Sequence, residues 1–246
     1  MDTAAGREGE RTMIAGLQKM TLLDYPGKVA CTVFLQGCNY ACPFCHNSGL
    51  LPFEAEPFME EAELLAFLEK RKGILDGVCI TGGEPTMYPG LENLIRQIKA
   101  LGYAVKLDTN GSNPKLLRHL AEENLLDYVA MDVKNCPSRY GQTVGMPGVK
   151  LAAVEESLRF LIGGGVPYEL RTTLVQQFHD EAAIAQMGQW LCSLVADKKP
   201  AVLYLQSFVD RESVAFSGLS APETSQIEAF SKLLTPFVQK VLIRGR

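Results

Sequence analysis

Apolar residues recur along this chain on two periods, and the switching between them is its main structural signal. Short runs rich in β-branched residues stand at 30–35 (ACTVFL), 78–81 (VCIT), 104–108 (AVKLD), 128–133 (YVAMDV), 169–175 (ELRTTLV), 202–206 (VLYLQ) and 241–243. Gly, Asp, Asn or Pro bounds them, as strand ends require. Several lack clean alternation, which predicts strands covered on both faces. Between them lie longer stretches with helical patterning, at 59–72, 91–101, 115–123, 149–162, 180–195 and 222–238. In 59–72 glutamates come early and basic residues late, as the helix dipole favours. Gly73 and Gly102 stop two of these stretches. Pro114 suits the first turn of a third.

Strand then helix, repeated about six times, calls for a parallel sheet with right-handed crossovers. A complete eight-unit barrel takes ~250 residues with little to spare, and only six or seven units are visible in these 246 residues. The expected fold is α/β, a partial (β/α)6 TIM-like barrel rather than a Rossmann sheet. It is expected as a single domain over residues 13–246, after a disordered polar tail over residues 1–12 (MDTAAGREGERT). No internal repeat, low-complexity segment or linker interrupts it.

Composition narrows the class. The chain is 47% hydrophobic and 21% charged, ordinary for a globular domain of this size, which needs no disulfide or metal staple to fold. Lys plus Arg total 24 and Asp plus Glu 28, a net charge of −4, so there is no basic excess for nucleic acid or an anionic membrane. No apolar run approaches the ~18–20 residues of a membrane span, and the first twelve residues lack a signal-peptide core. A cytoplasmic location is expected, where thiols stay reduced. Of the 7 cysteines, Cys31, Cys79, Cys136 and Cys192 are scattered, while Cys38, Cys42 and Cys45 crowd together. In a reducing compartment such a crowd indicates metal or redox chemistry.

The crowded segment is Gly37-Cys38-Asn39-Tyr40-Ala41-Cys42-Pro43-Phe44-Cys45-His46-Asn47. It follows the first predicted strand, at the strand end where parallel α/β folds place their chemistry. Its spacing is Cys-x3-Cys-x2-Cys. A structural zinc site takes four ligands, commonly from two separated pairs, and no second pair exists here. His46 could complete a zinc set, but it adjoins Cys45, and neighbouring side chains in an extended loop diverge. A four-iron cluster held by three cysteines accounts better for the spacing. It leaves one iron open to a substrate or cofactor. Three unligated thiols are the plainer alternative.

With an aromatic before its last cysteine, this motif resembles the signature of the radical S-adenosylmethionine (SAM) enzymes, whose fold is a full or partial (β/α) barrel. The resemblance runs from Met13 nearly to the end. It includes Leu23-Asp24-Tyr25-Pro26-Gly27-Lys28, Thr81-Gly82-Gly83-Glu84-Pro85-Thr86, Leu107-Asp108-Thr109-Asn110-Gly111, Met131-Asp132-Val133-Lys134 and Leu170-Arg171-Thr172-Thr173. Together these segments are similar to the activating enzymes of glycyl radical proteins, above all those of anaerobic ribonucleoside-triphosphate reductase, with the pyruvate formate-lyase type close by.

The resemblance implies a [4Fe-4S] cluster on Cys38, Cys42 and Cys45, with SAM chelating the open iron. It implies a SAM site lined by Phe44, Gly82, Gly83, Glu84, Asp108, Asn110, Asp132, Lys134, Arg171 and Gln206. Glu84 either positions that region or is purely structural. The residue types fit: Gly-Gly allows close backbone approach, and Asp132 and Lys134 share one strand face. A guanidinium at Arg171 suits a carboxylate or ribose hydroxyls, although an exposed strand-edge arginine would read the same way. His119 reads as surface and His179 as loop.

The implied reaction is one-electron cleavage of SAM, the electron coming from flavodoxin or ferredoxin. A 5′-deoxyadenosyl radical then takes a glycine Cα hydrogen from a partner protein, expected to be the reductase large subunit. No acid–base residue is required, and no His–carboxylate pair presents itself. A radical SAM enzyme acting on a small molecule is the alternative within the class. A non-catalytic iron–sulfur or zinc protein is the alternative outside it.

Overall fold

The computed structural model describes residues 13–53 and 56–244. The expectation of a disordered tail over residues 1–12 lies outside the described residues. Eight strands form one sheet in sequence order: β1 (Ile14–Thr21), β2 (Ala30–Leu35), β3 (Gly77–Gly82), β4 (Ala104–Thr109), β5 (Tyr128–Asp132), β6 (Tyr168–Leu174), β7 (Val202–Ser207) and β8 (Lys240–Arg244). β1 is antiparallel to β2, and every later neighbour is parallel. Among the described residues β1 pairs only with β2 and β8 only with β7, so the barrel stays open along that side. The partial barrel of the sequence reading is therefore observed, with β2 to β7 as its six parallel strands and β8 as a seventh.

β1 was not among the expected strands. Its sequence, IAGLQKMT, mixes Gly, Gln and Lys into the run, and its middle is exposed. An edge strand needs no continuous apolar face.

The helices cover the outside: α1 (Glu61–Glu69), α2 (Leu91–Ala100), α3 (Pro114–Glu122), α4 (Tyr140–Thr143), α5 (Leu151–Gly163), α6 (Glu181–Ser193) and α7 (Thr224–Leu234). Their starts are locally encoded. Capping boxes join Glu60 with Glu63 and Glu223 with Gln226. Asn113 and Asp180 accept backbone N–H bonds at the starts of α3 and α6. The last two predicted helices shorten by a few residues, and the four-residue α4 is too short to register as a period.

The strands are not apolar on both faces. Val105 and Leu107 pack outward in the main core, whereas Lys106 and Asp108 turn to a polar lumen. The same alternation gives a lumen carrying Cys79, Asp132 and Arg171, with Cys79 beside Lys106 and Asp132 beside Arg171 in register. Toward the other end of the strands, Arg244 makes two 3.0 Å bonds to the buried Glu169 and covers the Tyr204 ring. There Tyr25, from the β1–β2 connection, packs 6.2 Å from Tyr128.

Candidate active site

The segment after β2 runs across the C-terminal mouth of the barrel. It is stitched to four other parts of the chain. The Ala41 N–H donates to the Val144 carbonyl at 3.0 Å. Gly145 takes a φ of 68°, and a Cβ there would lie 2.2 Å from the Ala41 oxygen. Asn47 donates to the Gly82 carbonyl at 2.9 Å. Asn39 accepts from Asn110 at 2.9 Å and donates to Ser112 at 2.8 Å. His46 Nε2 lies 2.7 Å from the Val209 carbonyl with its ring stacked on Phe208, and Ser48 donates to the Ser213 carbonyl.

Cys38, Cys42 and Cys45 line one cavity of about 500 Å³. Phe44, Gly82, Gly83, Asp108, Asn110, Asp132, Lys134, Arg171 and Gln206 line it too. Every expected site residue except Glu84 is therefore gathered at one mouth. Burial pushes the Cys38 thiol up to about 12 and raises Cys42 as well, the latter opposed by Lys134. Such thiols keep their protons until a metal displaces them. Among the described residues no three His, Cys, Asp or Glu side chains converge as ligands of a single ion. The three thiols instead face one space, as suits a polynuclear cluster whose irons each take one cysteine. His46, the fourth ligand of the zinc alternative, is committed through Nε2 to Val209.

The glycines, which line the cavity, also permit a close approach that the sequence did not show. Gly82 has a φ of 124°, and a Cβ on it would lie 2.1 Å from the Leu35 oxygen. One on Gly83 would lie 2.2 Å from the Gly37 oxygen and 3.3 Å from the Cys38 Cβ. The close approach is thus to the protein's own cysteine loop. Glu84 completes the junction. Its N–H donates to the Gly37 carbonyl at 2.8 Å. Its buried carboxylate accepts from Thr86 N, Thr86 Oγ1, Thr109 Oγ1 and Asn110 N. Burial pushes this carboxyl up against the bonds that hold it down. Of the two roles open for Glu84, the geometry supports the bracing one.

Deeper in the lumen, opposite charges alternate. Lys106 pairs with Asp108, Asp108 with Arg171 at 2.9 Å, Arg171 with Asp132 at 2.9 Å, and Asp132 with Lys134 at 2.8 Å. Burial works against the charges of Asp108, Asp132, Lys134 and Arg171. For Asp132 the Arg171 and Lys134 cations outweigh it and hold the carboxyl well below the usual range. Arg171 and Lys106 act likewise on Asp108. Arg171 is inside the barrel, not at an exposed edge.

Several participants were missed. Lys106 was legible as the polar alternate of AVKLD. His179 lies in the loop before α6, as expected, but it is buried there, 1% exposed. It accepts from Val175 N at 3.1 Å through Nδ1, and its Nε2 lies 2.9 Å from the Lys134 carbonyl. It thereby ties the segment after β5 to that after β6. Gln18 of β1, Asp24 of the β1–β2 connection and Thr32 and Phe34 of β2 form a further wall, and of these only Gln18 lies on the strand that carried no clear pattern. His119 sits on the surface against Glu92, as expected.

A partial parallel barrel with three cysteines facing a charged, ligand-sized cavity at its C-terminal mouth defines an iron–sulfur barrel enzyme. The family model described as the Radical SAM superfamily matches residues 32–185. The chain belongs to that superfamily, and with it uses a [4Fe-4S] cluster and S-adenosylmethionine.

Relatives sharpen the picture. The chain is 28% identical over 242 residues to a Methanocaldococcus jannaschii protein provisionally named a glycyl-radical enzyme activating enzyme, covering 95% of this chain and 96% of that one. It is 30% identical over 131 residues to the pyruvate formate-lyase-activating enzyme of Clostridium pasteurianum, covering 50% and 52%. A Thermococcus kodakarensis protein named a GTP 3′,8-cyclase is 32% identical over 151 residues, covering 59% and 47%. Among solved structures, Streptococcus suis SuiB bound to S-adenosylmethionine superposes with a TM-score of 0.65 at 15% identity, over 85% of this chain and 48% of that one. No helix among the described residues is long and apolar enough to cross a membrane.

Proposed function

We propose that this enzyme installs a glycyl radical on a partner protein. The observation carrying the reading is the end-to-end match to a relative of that name, whereas the cyclase match covers about half of the cyclase. The open side of the barrel supports it, because a glycine within a protein needs wider access than a small molecule does. The large subunit of an anaerobic ribonucleoside-triphosphate reductase is the first candidate acceptor, on the strength of Gly16-Leu17-Gln18-Lys19 with Leu23-Asp24-Tyr25-Pro26-Gly27. Flavodoxin or ferredoxin is the candidate electron donor.

When bound, the cluster supplies the electron and SAM the 5′-deoxyadenosyl radical. Cys38, Cys42 and Cys45 would hold the cluster. Arg171 spends Nε and Nη1 on Asp132 and Asp108, so its planar fork is fixed with Nη2 available to a ligand carboxylate or hydroxyl. Lys134 adds a cation beside Cys42, kept protonated by Asp132 against the burial that opposes it. Phe44, packed 5.9 Å from Phe178 and against Phe208, shields the mouth from water. Gly82, Gly83, Asn110 and Gln206 line the remaining walls of the proposed SAM site, and Glu84 braces them.

Anaerobic mixing of reduced enzyme, SAM and the reductase subunit should produce a glycine-centred EPR doublet on that subunit. A doublet only on a formate-lyase-like protein would change the acceptor and keep the class. Consumption of a small molecule with no protein radical would refute the activase reading.

A further inference from the structure

Tyr40 stands midway between Cys38 and Cys42. Its backbone N–H donates to Cys38 Sγ at 3.4 Å. Its side chain is 6% exposed and belongs to the main core, and the residue lines the cavity. Its hydroxyl has no hydrogen-bond partner among the described residues. Tyr140, on α4, is fully buried with its ring edge-on to Trp190; its oxygen faces the Lys134 backbone N–H, and its own proton has no acceptor among the described residues. α4 leads into Val144 and Gly145, the residues that hold Ala41 from behind.

Native folds seldom keep a buried O–H without an acceptor, and here are two behind one cysteine loop. Each hydroxyl has a single O–H to donate. Were Tyr140 to donate to Tyr40, the Tyr40 O–H would still need an acceptor. The carboxylates nearby are engaged: Glu84 already accepts four bonds, and both oxygens of Asp132 sit in ion pairs. Among the ionisable groups within electrostatic reach of the hydroxyl, the Cys42 and Cys38 sulfurs are the acceptors not already held in ion pairs or in several bonds, and the sulfides of the bound cluster would add to them.

We propose that the Tyr40 hydroxyl donates a hydrogen bond to a sulfur of the bound [4Fe-4S] cluster or of its Cys42 ligand, and so raises the cluster's reduction potential. The inference rests on the cluster and not on the identity of the radical acceptor. A donor aimed at cluster sulfur stabilises the reduced, more negative state over the oxidised one. Tyr140, behind Tyr40, would strengthen that donor by donating to its oxygen.

The test is Tyr40→Phe, reconstituted anaerobically and compared with the parent by iron content, EPR-monitored redox titration and thermal unfolding with and without cluster. Iron content should be unchanged, and the midpoint potential should become more negative. Without cluster the variant should melt at or above the parent temperature, since only an unpartnered hydroxyl is lost. With cluster it should melt lower. Tyr140→Phe, further from the sulfurs, should shift the potential in the same direction by less, and it serves if Tyr40→Phe does not fold. Four irons and an unshifted potential in the variant overturn the hydrogen bond and leave the family assignment standing. A parent protein that takes up no iron would remove both.

Discussion

Arg171 shows how much can depend on one side chain. It joins two carboxylates that are otherwise 24 residues apart in sequence, each already holding a lysine. Removing one member of a buried pair costs about 3–5 kcal/mol, because the partner charge stays behind. Arg171→Met should lie near the lower end, about 3 kcal/mol, since Lys106 and Lys134 still compensate the aspartates. Denaturant unfolding of the cluster-free protein checks the figure, and a change under about 1 kcal/mol would mean the chain of charges is solvated rather than structural. His179 belongs to the same scale. Burial holds its imidazole below the usual range, against the backbone bonds at Lys134 and Val175. Folded protein therefore keeps it neutral, and the unfolded chain takes up the proton first. Its contribution is complete above about pH 6.5 and declines as pH falls toward the lower folded value, by at most about 1.4 kcal/mol per pH unit. The carboxylates Asp108 and Asp132 add acid sensitivity only below about pH 4, since their contribution is present above the unfolded carboxylate value. His179→Gln should thus flatten stability between about pH 6.5 and 5 while leaving the steeper acid transition in place. A variant curve parallel to the parent's across that window would show that His179 does not titrate with folding.

At the scale of elements, the junction of β3 with the cysteine loop is the most sensitive piece of backbone. Because a Cβ on Gly83 meets the Gly37 oxygen and then Cys38, Gly83→Ala should lower the iron bound after anaerobic reconstitution. Full iron with weakened SAM binding would instead restore a direct ligand-contact role for this glycine. The Gly-Gly-Glu turn was recognisable in the sequence as important, but its direction of action was not. Whether a glycine makes room for a ligand or for a neighbouring strand depends on the register of β2 against β3, where Leu35 faces Gly82. Likewise Asp132, Lys134 and Arg171 could be read as sharing inward faces from a period of two. Their joining into one chain with Lys106 required the order of three strands. β1 escaped notice because its exposed middle, with Gln18, Lys19 and Met20, carries no buried face to betray it. His179 escaped because a histidine that bonds only to backbone leaves no partner residue to find.

Across the whole molecule, sheet order follows chain order, so each strand can add to the one made just before it. The cysteine loop obeys a different schedule. His46 is held by the Val209 carbonyl and Ser48 by the Ser213 carbonyl, contacts that span 163 and 165 residues. At ribosomal speeds of ~5–20 residues per second, those partners emerge on the order of 10 s after the cysteines. During that interval the barrel's first half can pair while its three thiols lack their outer wall. Chains arrested before residue 207 should therefore carry the cysteine motif and fail to retain iron, and synthesis itself sets the order in which scaffold and metal come together.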